Sequence, residues 1–425
     1  MCPSQGCLSM SFAPRLPRTI PYHVAIALMF ATSGIMWGVW IARIPGVAAN
    51  LDLSRAQLGT VLPAFSVGAL LAFPVAAAVT SRFGSRTSVQ LFGIMRALLF
   101  PALALAPNAL SLLVALGFAG FAHGALDVSL NAQGVEIERR TDGSILSRAH
   151  GSFSLGALLG SAGAGFAAQS GIALSVQFIV PGAFATVMFA LVGRKLIDDE
   201  QAPTPATERL ATKRKWRGVG IPPRALWALG AIAFVTGIAD EAIADWTTLF
   251  IRQDLGAAPV VASLAYSIYS FAALVGRLSG DSISRRLDPM RILQIGGAMG
   301  GTGLLIGTIL NAPMAMLVGI AIVGLGFSVI YPTAYRLAGT TPEISRAKGL
   351  ATIATIAYLG YLAGPLIIGP LASTTSLRAA LICVGIMCFL IPILSRRRRQ
   401  PEHTVEEPEP AVDPENPPEP NPYSL

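Results

Sequence analysis

Two groups of polar side chains stand inside long apolar stretches of this sequence. Asp127 has His123 four residues before it and Asn131 four residues after it, and Glu241 has Asp245 four residues after it. On an α-helix this spacing brings the members of each group to one face. Carboxylates, an imidazole and an amide can bind protons and exchange hydrogen bonds with a polar solute. A carboxylate withheld from water takes up a proton more readily, so Asp127 and Glu241 are candidates for reversible proton binding.

The elements that carry these residues are predicted to be membrane-spanning helices. The chain has 425 residues, of which 53% are hydrophobic and 13% charged, and apolar segments long enough to cross a bilayer recur along it. The predicted fold class is therefore an all-α membrane protein. We predict twelve transmembrane helices, at 22–43, 56–81, 88–106, 110–135, 149–169, 172–193, 225–249, 257–280, 290–310, 312–337, 348–372 and 376–395.

The positive charges predict how these helices are oriented. Most of the 31 lysines and arginines fall on the side of the two chain ends, and the exceptions are Arg43, Arg55, Arg96, Arg252 and Arg378. Because positively charged connections stay in the cytoplasm, we expect both the N and the C terminus there, with the protein in the plasma membrane. The net charge of +8 is thereby spread over loops that flank the membrane, which argues against a nucleic-acid partner.

Five regions are predicted along the chain. They are a cytoplasmic leader at 1–20, a six-helix bundle at 21–195, a cytoplasmic central loop at 196–223, a second six-helix bundle at 224–395 and a disordered cytoplasmic tail at 396–425. The central loop carries a basic cluster suited to contact with anionic lipid. The tail is rich in proline and glutamate and has too little apolar area to fold.

An internal repeat relates the two bundles. At an offset of 204 residues, Gly156, Gly160 and Gly165 fall on Gly360, Gly364 and Gly369. Glycines in register in corresponding helices indicate that both bundles need close backbone approach at the same places. Because each half has an even number of spans, the halves enter the membrane in the same sense and are pseudo-symmetric about an axis along the membrane normal. Solute sites in such duplicated carriers lie between the halves.

The chain resembles the major facilitator superfamily over nearly all of residues 22–395. The loop at 81–86, Ser-Arg-Phe-Gly-Ser-Arg, is similar to that superfamily's signature between spans two and three, with Ser81 where an aspartate is usual. A second copy at 276–288 has Asp288 where a glycine is usual. The runs at 124–136, 150–152 and 240–246 resemble a bacterial branch near the fucose permeases. The resemblance implies the major facilitator fold and transport by alternating access.

It also implies that spans one, four, seven and ten line a central cavity. At the repeat offset, Asp127 corresponds to Tyr331 and Trp37 to Glu241, so side chains able to bind a solute stand at equivalent positions. We take Asp127 and Glu241 as the proton-coupling candidates. The candidates for lining the solute cavity are Trp37, Trp40, His123, Asn131, Tyr331 and Tyr335.

Structural interpretations of the same residues remain open. Asp127 could pair with Arg96 or Arg148 to hold helices together, the two tryptophans could serve packing, and His123 could be a simple helix contact. Tyr331, next to a proline, could mark a kink. Arg43 and Asp245 lie near the same predicted end of spans one and seven, which predicts a gate ion pair there. Further gate or loop ion pairs are expected among Arg82, Arg86, Arg277 and Asp281.

The function predicted from these observations is secondary active transport of a small polar solute, with a sugar-like solute and proton symport favoured. A proton-driven efflux antiporter for drugs or metabolites is the alternative, although span five lacks the Gly-Pro pair that antiporters of the superfamily often carry. A membrane sensor is a remote third class. No His-Glu-x-x-His pattern or large extramembrane domain points to an enzyme. We expect no metal and no cofactor, and solute, protons and membrane lipid as the partners of a monomer.

Overall fold

The computed structural model describes residues 20–141, 145–198, 226–341 and 346–396, and within these ranges it leaves the side chains of residues 141, 281, 346–348 and 351 undescribed. The predicted leader, central loop and tail lie outside the described residues apart from a few positions at their edges. The two predicted helical bundles lie within them except for residues 142–144, 224–225 and 342–345.

The prediction of twelve membrane-spanning helices is confirmed for the described part of the chain. We number them α1 to α12. Their bounds are Tyr22–Asn50, Arg55–Phe83, Ser85–Leu105, Ala109–Arg140, Leu146–Gln169, Leu174–Lys195, Trp227–Asp254, Pro259–Gly280, Pro289–Ile309, Pro313–Gly339, Thr352–Thr374 and Leu377–Arg396.

Several helices extend beyond the predicted apolar spans. The fourth continues to Arg140, five residues past the predicted end, because a helix can leave the hydrocarbon while its backbone hydrogen bonds continue. Glu136 supports this extension by accepting from Arg139 at 2.8 Å and from Arg140 at 2.5 Å, pairs that adjoin one another on the helix surface. Apolar composition therefore indicates the length of helix in contact with lipid and underestimates the full length of the helix.

Side-chain caps set where some helices begin. Ser54 and Gln57 form a reciprocal capping box at the start of α2. The carboxylate of Asp288 accepts from the backbone N–H of Met290 at 2.9 Å and caps α9, whose first residue is Pro289. The aspartate that departs from the superfamily's loop pattern thus has a local role in starting a helix.

The repeat glycines make equivalent contacts in the two halves. Gly156 and Gly160 of α5 pack on the backbone of α1, and Gly360 of α11 packs on the backbone of α7. At one end of the bundle Gly165 of α5 meets Ser263 of α8, and Gly369 of α11 meets Gly59 of α2. At the offset of 204, Gly165 corresponds to Gly369 and Gly59 corresponds to Ser263, so these two contacts are equivalent. The repeat therefore relates contacts between the halves as well as contacts within each half.

We call the end of the bundle at which α1 joins α2 and α7 joins α8 the outer end, following the orientation that the charges predict. The halves meet there through the Gly59 and Gly369 contact and through an ion pair of 2.7 Å between Arg55 of α2 and Asp254 of α7. Nearby, Ser161 of α5 donates to the backbone oxygen of Ser263 at 2.6 Å. The outer end is therefore closed in this structure.

The seventh helix departs from α-helical geometry twice. Ala242–Trp246 and Phe250–Asp254 each form a π-helical turn. A π turn accommodates an extra residue, so it rotates the side chains after it relative to those before it. Glu241 precedes the first of these turns and Asp245 lies within it. The shared face that a regular helix predicts for these two carboxylates is altered at this point.

Candidate functional site

A hydrogen bond between the two halves lies at the centre of the candidate site. Trp37 of α1 donates through its indole Nε1 to the hydroxyl of Tyr266 of α8 at 2.7 Å. The same indole stacks on His123 of α4, with ring centroids 5.4 Å apart and planes inclined by 15°. Phe65 of α2 contacts both rings, each at 5.3 Å. Sequence-predicted residues of α1 and α4 are thus brought together with a tyrosine of the other half.

Beside this stack, Asp127 belongs to a short hydrogen-bonded chain. The Asn131 amide donates to the Asp127 carboxylate at 3.2 Å, and the Asn131 side-chain oxygen lies 3.1 Å from Nε2 of His150 in α5. The predicted common face of Asp127 and Asn131 is therefore realised as a contact. Such a chain can hold a carboxylate in place in either charge state, because the amide offers both a donor and an acceptor.

The structural alternative for Asp127, an ion pair with a neighbouring arginine, is not formed among the described residues. Arg96 is close enough for its charge to act on Asp127, but its guanidinium donates to the backbone oxygen and hydroxyl of Ser33 and lies more than 4.0 Å from the carboxylate. Arg148 is exposed. Asp127 therefore keeps an oxygen available for a solute or a proton.

The second half contributes another acidic group. The hydroxyl of Tyr269 in α8 donates to the Asp240 carboxylate of α7. The rings of Tyr269 and Tyr266 lie 5.8 Å apart, so Asp240 is connected through two tyrosines to the bond that Trp37 makes. Glu241 follows directly in the chain, and the charges of Asp240 and Asp245 act on it. Three carboxylates thus share one short stretch of α7.

Two pairs of tyrosines of the second half lie near these acids. Tyr331 and Tyr335 of α10 lie 6.3 Å apart, and Tyr358 and Tyr361 of α11 lie 5.5 Å apart. The charge of Asp127 acts on Tyr335 and Tyr358, although it belongs to the other half. Residues from α4, α10 and α11 therefore lie near one another where the halves meet.

Two buried polar atoms in this region, Nδ1 of His123 and the hydroxyl of Tyr331, have no hydrogen-bond partner among the described residues. Nδ1 of His123 makes no hydrogen bond, although its ring contacts those of Trp37 and Phe65. Buried polar atoms are nearly always hydrogen-bonded, so an unpartnered imidazole nitrogen next to an aromatic stack suits recognition of a solute hydroxyl or amine. Trp40, by contrast, packs against Phe178 of α6 and contributes to the core of the first half.

The predicted gate ion pair and the predicted loop ion pairs have different outcomes in the structure. In this structure no pair within 4.0 Å joins Arg43 to Asp245. Arg86 pairs with Asp198, and the Arg82 guanidinium lies over the ring of Phe83. Arg277 donates to the Ser154 hydroxyl at 2.7 Å and so joins α8 to α5, and the side chain of Asp281 lies outside the described residues.

Sequence reasoning missed several members of this site. Attention to spans one, four, seven and ten left out α5, α8 and α11, which contribute His150, Tyr266, Tyr269, Tyr358 and Tyr361. A signal was nevertheless present. Six of the eight tyrosines fall in three pairs spaced three or four residues apart within apolar spans, a pattern that places each pair on one helix face. Asp240 directly precedes Glu241 in the chain, and its bond to Tyr269 gives it a partner that only the structure reveals.

Comparison with known proteins identifies the family. The sequence matches the family model of the Major Facilitator Superfamily at residues 25–343 and 250–422. The chain belongs to this superfamily. It is 28% identical to an uncharacterized transporter, y4wD, of Sinorhizobium fredii over 370 residues, which cover 87% of this chain and 96% of that protein. It is 27% identical to an uncharacterized transporter of the superfamily from Yersinia pestis over 377 residues, with coverages of 89% and 96%.

Solved structures of superfamily transporters have the same fold. The nucleoside transporter NupG aligns with a TM-score of 0.69 at 12% identity, covering 89% of this chain and 100% of that one. A D-xylose-proton symporter aligns with a TM-score of 0.69 at 15% identity, covering 88% and 98%. The protein is thus a multi-pass membrane transporter of the Major Facilitator Superfamily. The placement near the fucose permeases stays a prediction.

Proposed function

We propose that this superfamily member is a secondary active transporter that moves a small polar solute, sugar-like in its chemistry, by alternating access coupled to proton symport. One observation carries the proposal. An acidic group in the first half, at Asp127, and another in the second half, at Asp240 and Glu241, lie near the same group of aromatic side chains where the halves meet.

The lining suits a ring-shaped polar solute. Indole, imidazole and phenol rings pack against the apolar faces of sugars, while carboxylates, an amide and hydroxyls bind the polar edges. Trp37, His123 and Tyr335 supply such rings, and Asp127 and Asn131 supply the polar groups. The names of two neighbours in fold, a nucleoside transporter and a D-xylose-proton symporter, refer to solutes of this kind.

The hydrogen-bond connections suggest how a proton would be coupled to movement. A proton on Asp240 weakens its attraction for the Tyr269 hydroxyl, which packs near Tyr266. Tyr266 in turn holds Trp37 of the other half. A change of charge on one carboxylate can therefore alter the contact between the halves, which is the contact that alternating access must remake.

The test begins with the solute. Purified protein is screened by thermal shift against sugars, nucleosides, organic acids and amino acids, because a solute that binds only the folded state raises the melting temperature. The solute found is then taken up into proteoliposomes under an imposed pH gradient by the wild type and by Asp127→Asn, Asp240→Asn and Glu241→Gln. Asp52→Asn is the matched control, since Asp52 is exposed in the connection between α1 and α2 and adopts a φ of 48° that asparagine also accepts.

We expect the loss of gradient-driven accumulation in at least one of the three variants at Asp127, Asp240 and Glu241, with downhill exchange of the solute retained, and normal accumulation in the control. Accumulation that survives each of the three changes would refute proton coupling through these carboxylates. Outward movement of the solute driven by the gradient would instead support the antiporter alternative.

A further inference from the structure

We propose an oxyanion-binding site at the outer end of the protein, between Arg43 of the first half and Arg252 of the second. A cleft of about 440 Å³ lies there, separate from the central site. Residues of α1, α5, α7 and α8 line it, so it spans the boundary between the halves. The inference does not depend on which solute the central site carries.

The cleft contains positive charge without a compensating acid. Two arginines, Arg43 and Arg252, are among its lining residues, and no carboxylate is. Arg252 is exposed and donates to the backbone oxygen of Ala257 at 2.8 Å, while it lines the same cleft as Arg43. The nearest candidates for neutralisation are engaged or distant, since Asp254 pairs with Arg55 and Asp245 is not within 4.0 Å of Arg43.

Unpartnered polar atoms mark the same cleft. Nε of Arg43 is buried and has no hydrogen-bond partner among the described residues, and neither has the hydroxyl of Thr248, a side chain that is 1% exposed. The neighbouring Thr247 shows the usual arrangement, because its hydroxyl donates to the backbone oxygen of Ile243 at 2.6 Å. Thr248 departs from this arrangement, and its side chain lines the cleft that the two arginines share.

These donors define the chemistry of the ligand. Two guanidinium groups and a hydroxyl all present N–H or O–H groups, which suit a carboxylate or a phosphate with several acceptor oxygens. A cation would be repelled. The source of the oxyanion is either a free anion or the phosphate of a lipid headgroup, since both present the same oxygens at the membrane surface.

Because the cleft lies between the halves, an anion bound in it would affect the conformation of the protein. An anion held by Arg43 and Arg252 together would join the two halves at the end that the Arg55 and Asp254 pair already closes. Because separation of the halves would break the bridge, the bound anion favours the closed outer end. Opening of that end would release the anion.

The test uses the full chain purified in a neutral detergent. Inorganic phosphate is titrated while ionic strength is held constant, and the melting temperature is followed for the wild type, Arg43→Gln, Arg252→Gln and Thr248→Val. Arg378→Gln is the matched control, because Arg378 binds the backbone oxygens of Thr308 and Ile309 away from the cleft. The same proteins are then melted in vesicles of phosphatidylcholine with and without phosphatidylglycerol, which tests the lipid headgroup as the source.

We expect phosphate to raise the melting temperature of the wild type and the control, and its apparent affinity to fall by about tenfold or more in each arginine variant, as is typical when one charged partner of an ion is removed. Stabilisation by phosphatidylglycerol alone, lost in the same variants, would support the site with a lipid as its ligand. The proposal is overturned if neither phosphate nor the anionic lipid stabilises the wild type more than the arginine variants. Monodisperse elution of each variant before melting ensures that a failure to fold is not read as a loss of binding.

Discussion

Trp37 and Tyr266 are joined by a hydrogen bond of 2.7 Å that crosses from the first half of the transporter to the second. Its donor ring stacks on His123, and its acceptor ring contacts Tyr269, which binds Asp240. The bond therefore connects the candidate solute-binding residues of one half to a candidate proton-binding residue of the other. Movement of the halves must lengthen or break it if the two helices separate.

The first prediction concerns this bond. Trp37→Phe and Tyr266→Phe each remove one partner, and we expect each to lower the free energy of unfolding by about 1 kcal/mol or more, the usual contribution of a hydrogen bond together with an unpaired polar atom. The double variant should be less destabilised than the sum of the two, because the second change removes a group that has already lost its partner. Melting curves of the three variants measure this, and strict additivity would contradict the contact.

The second prediction concerns closure of the outer end. Arg55→Gln breaks the ion pair with Asp254, whose side chains are partly exposed, so the effect should be modest. We expect maleimide to label Ser263→Cys, a buried position where the halves meet at this end, about two to five times faster in a cysteine-free background when Arg55 is replaced, in keeping with a partly exposed pair. Reversing both charges, with Arg55→Asp and Asp254→Arg together, should restore slow labelling. Equal rates in all three proteins would show that the pair does not hold this end closed.

The third prediction uses two glycines of α5. A methyl group at Gly160 would lie 2.9 Å from the Cα of Ile35 in α1, whereas one at Gly163 would meet no atom within 4 Å. Gly160→Ala should therefore destabilise the protein by about 1–3 kcal/mol through overpacking. Gly163→Ala should be neutral or stabilising by up to about 1 kcal/mol, because alanine favours the helix. Melting temperatures measured side by side check the pair, and an equal loss in both would contradict the packing.

The fourth prediction concerns Arg96 and Asp127, which interact by charge without forming an ion pair. Arg96→Met removes the bonds to Ser33, and we expect a loss of about 1–3 kcal/mol, as for hydrogen bonds to a charged group. In that background Asp127→Asn should be less harmful than in the wild type, since the carboxylate has lost its nearby positive charge. Arg148→Gln is the control, because Arg148 is exposed and should tolerate the change. Melting temperatures of Arg96→Met, Asp127→Asn, the double variant and Arg148→Gln measure these effects. An equal loss from Asp127→Asn with and without Arg96 would contradict the interaction.

The number of helices and the duplication could be read from the sequence because both depend on short-range composition. Apolar length predicts a membrane span wherever it occurs, and the glycines at 156, 160 and 165 recur at 360, 364 and 369 whatever the helices do in space. The contact between Asp127 and Asn131 was equally accessible, since it follows from helical spacing alone.

The contacts between the halves were decided by tertiary structure. Trp37 and Tyr266 are 229 positions apart, and Arg55 and Asp254 are 199 apart, so no local pattern links them. The bond from Tyr269 to Asp240 depends on how α7 and α8 are rotated against one another, and Ala242–Trp246 alters the rotation of the residues beyond it. The sequence by itself determined which helices exist and which residues share a face of each. Only packing determined which of those faces meet, because that depends on the relative position and rotation of helices distant in the chain.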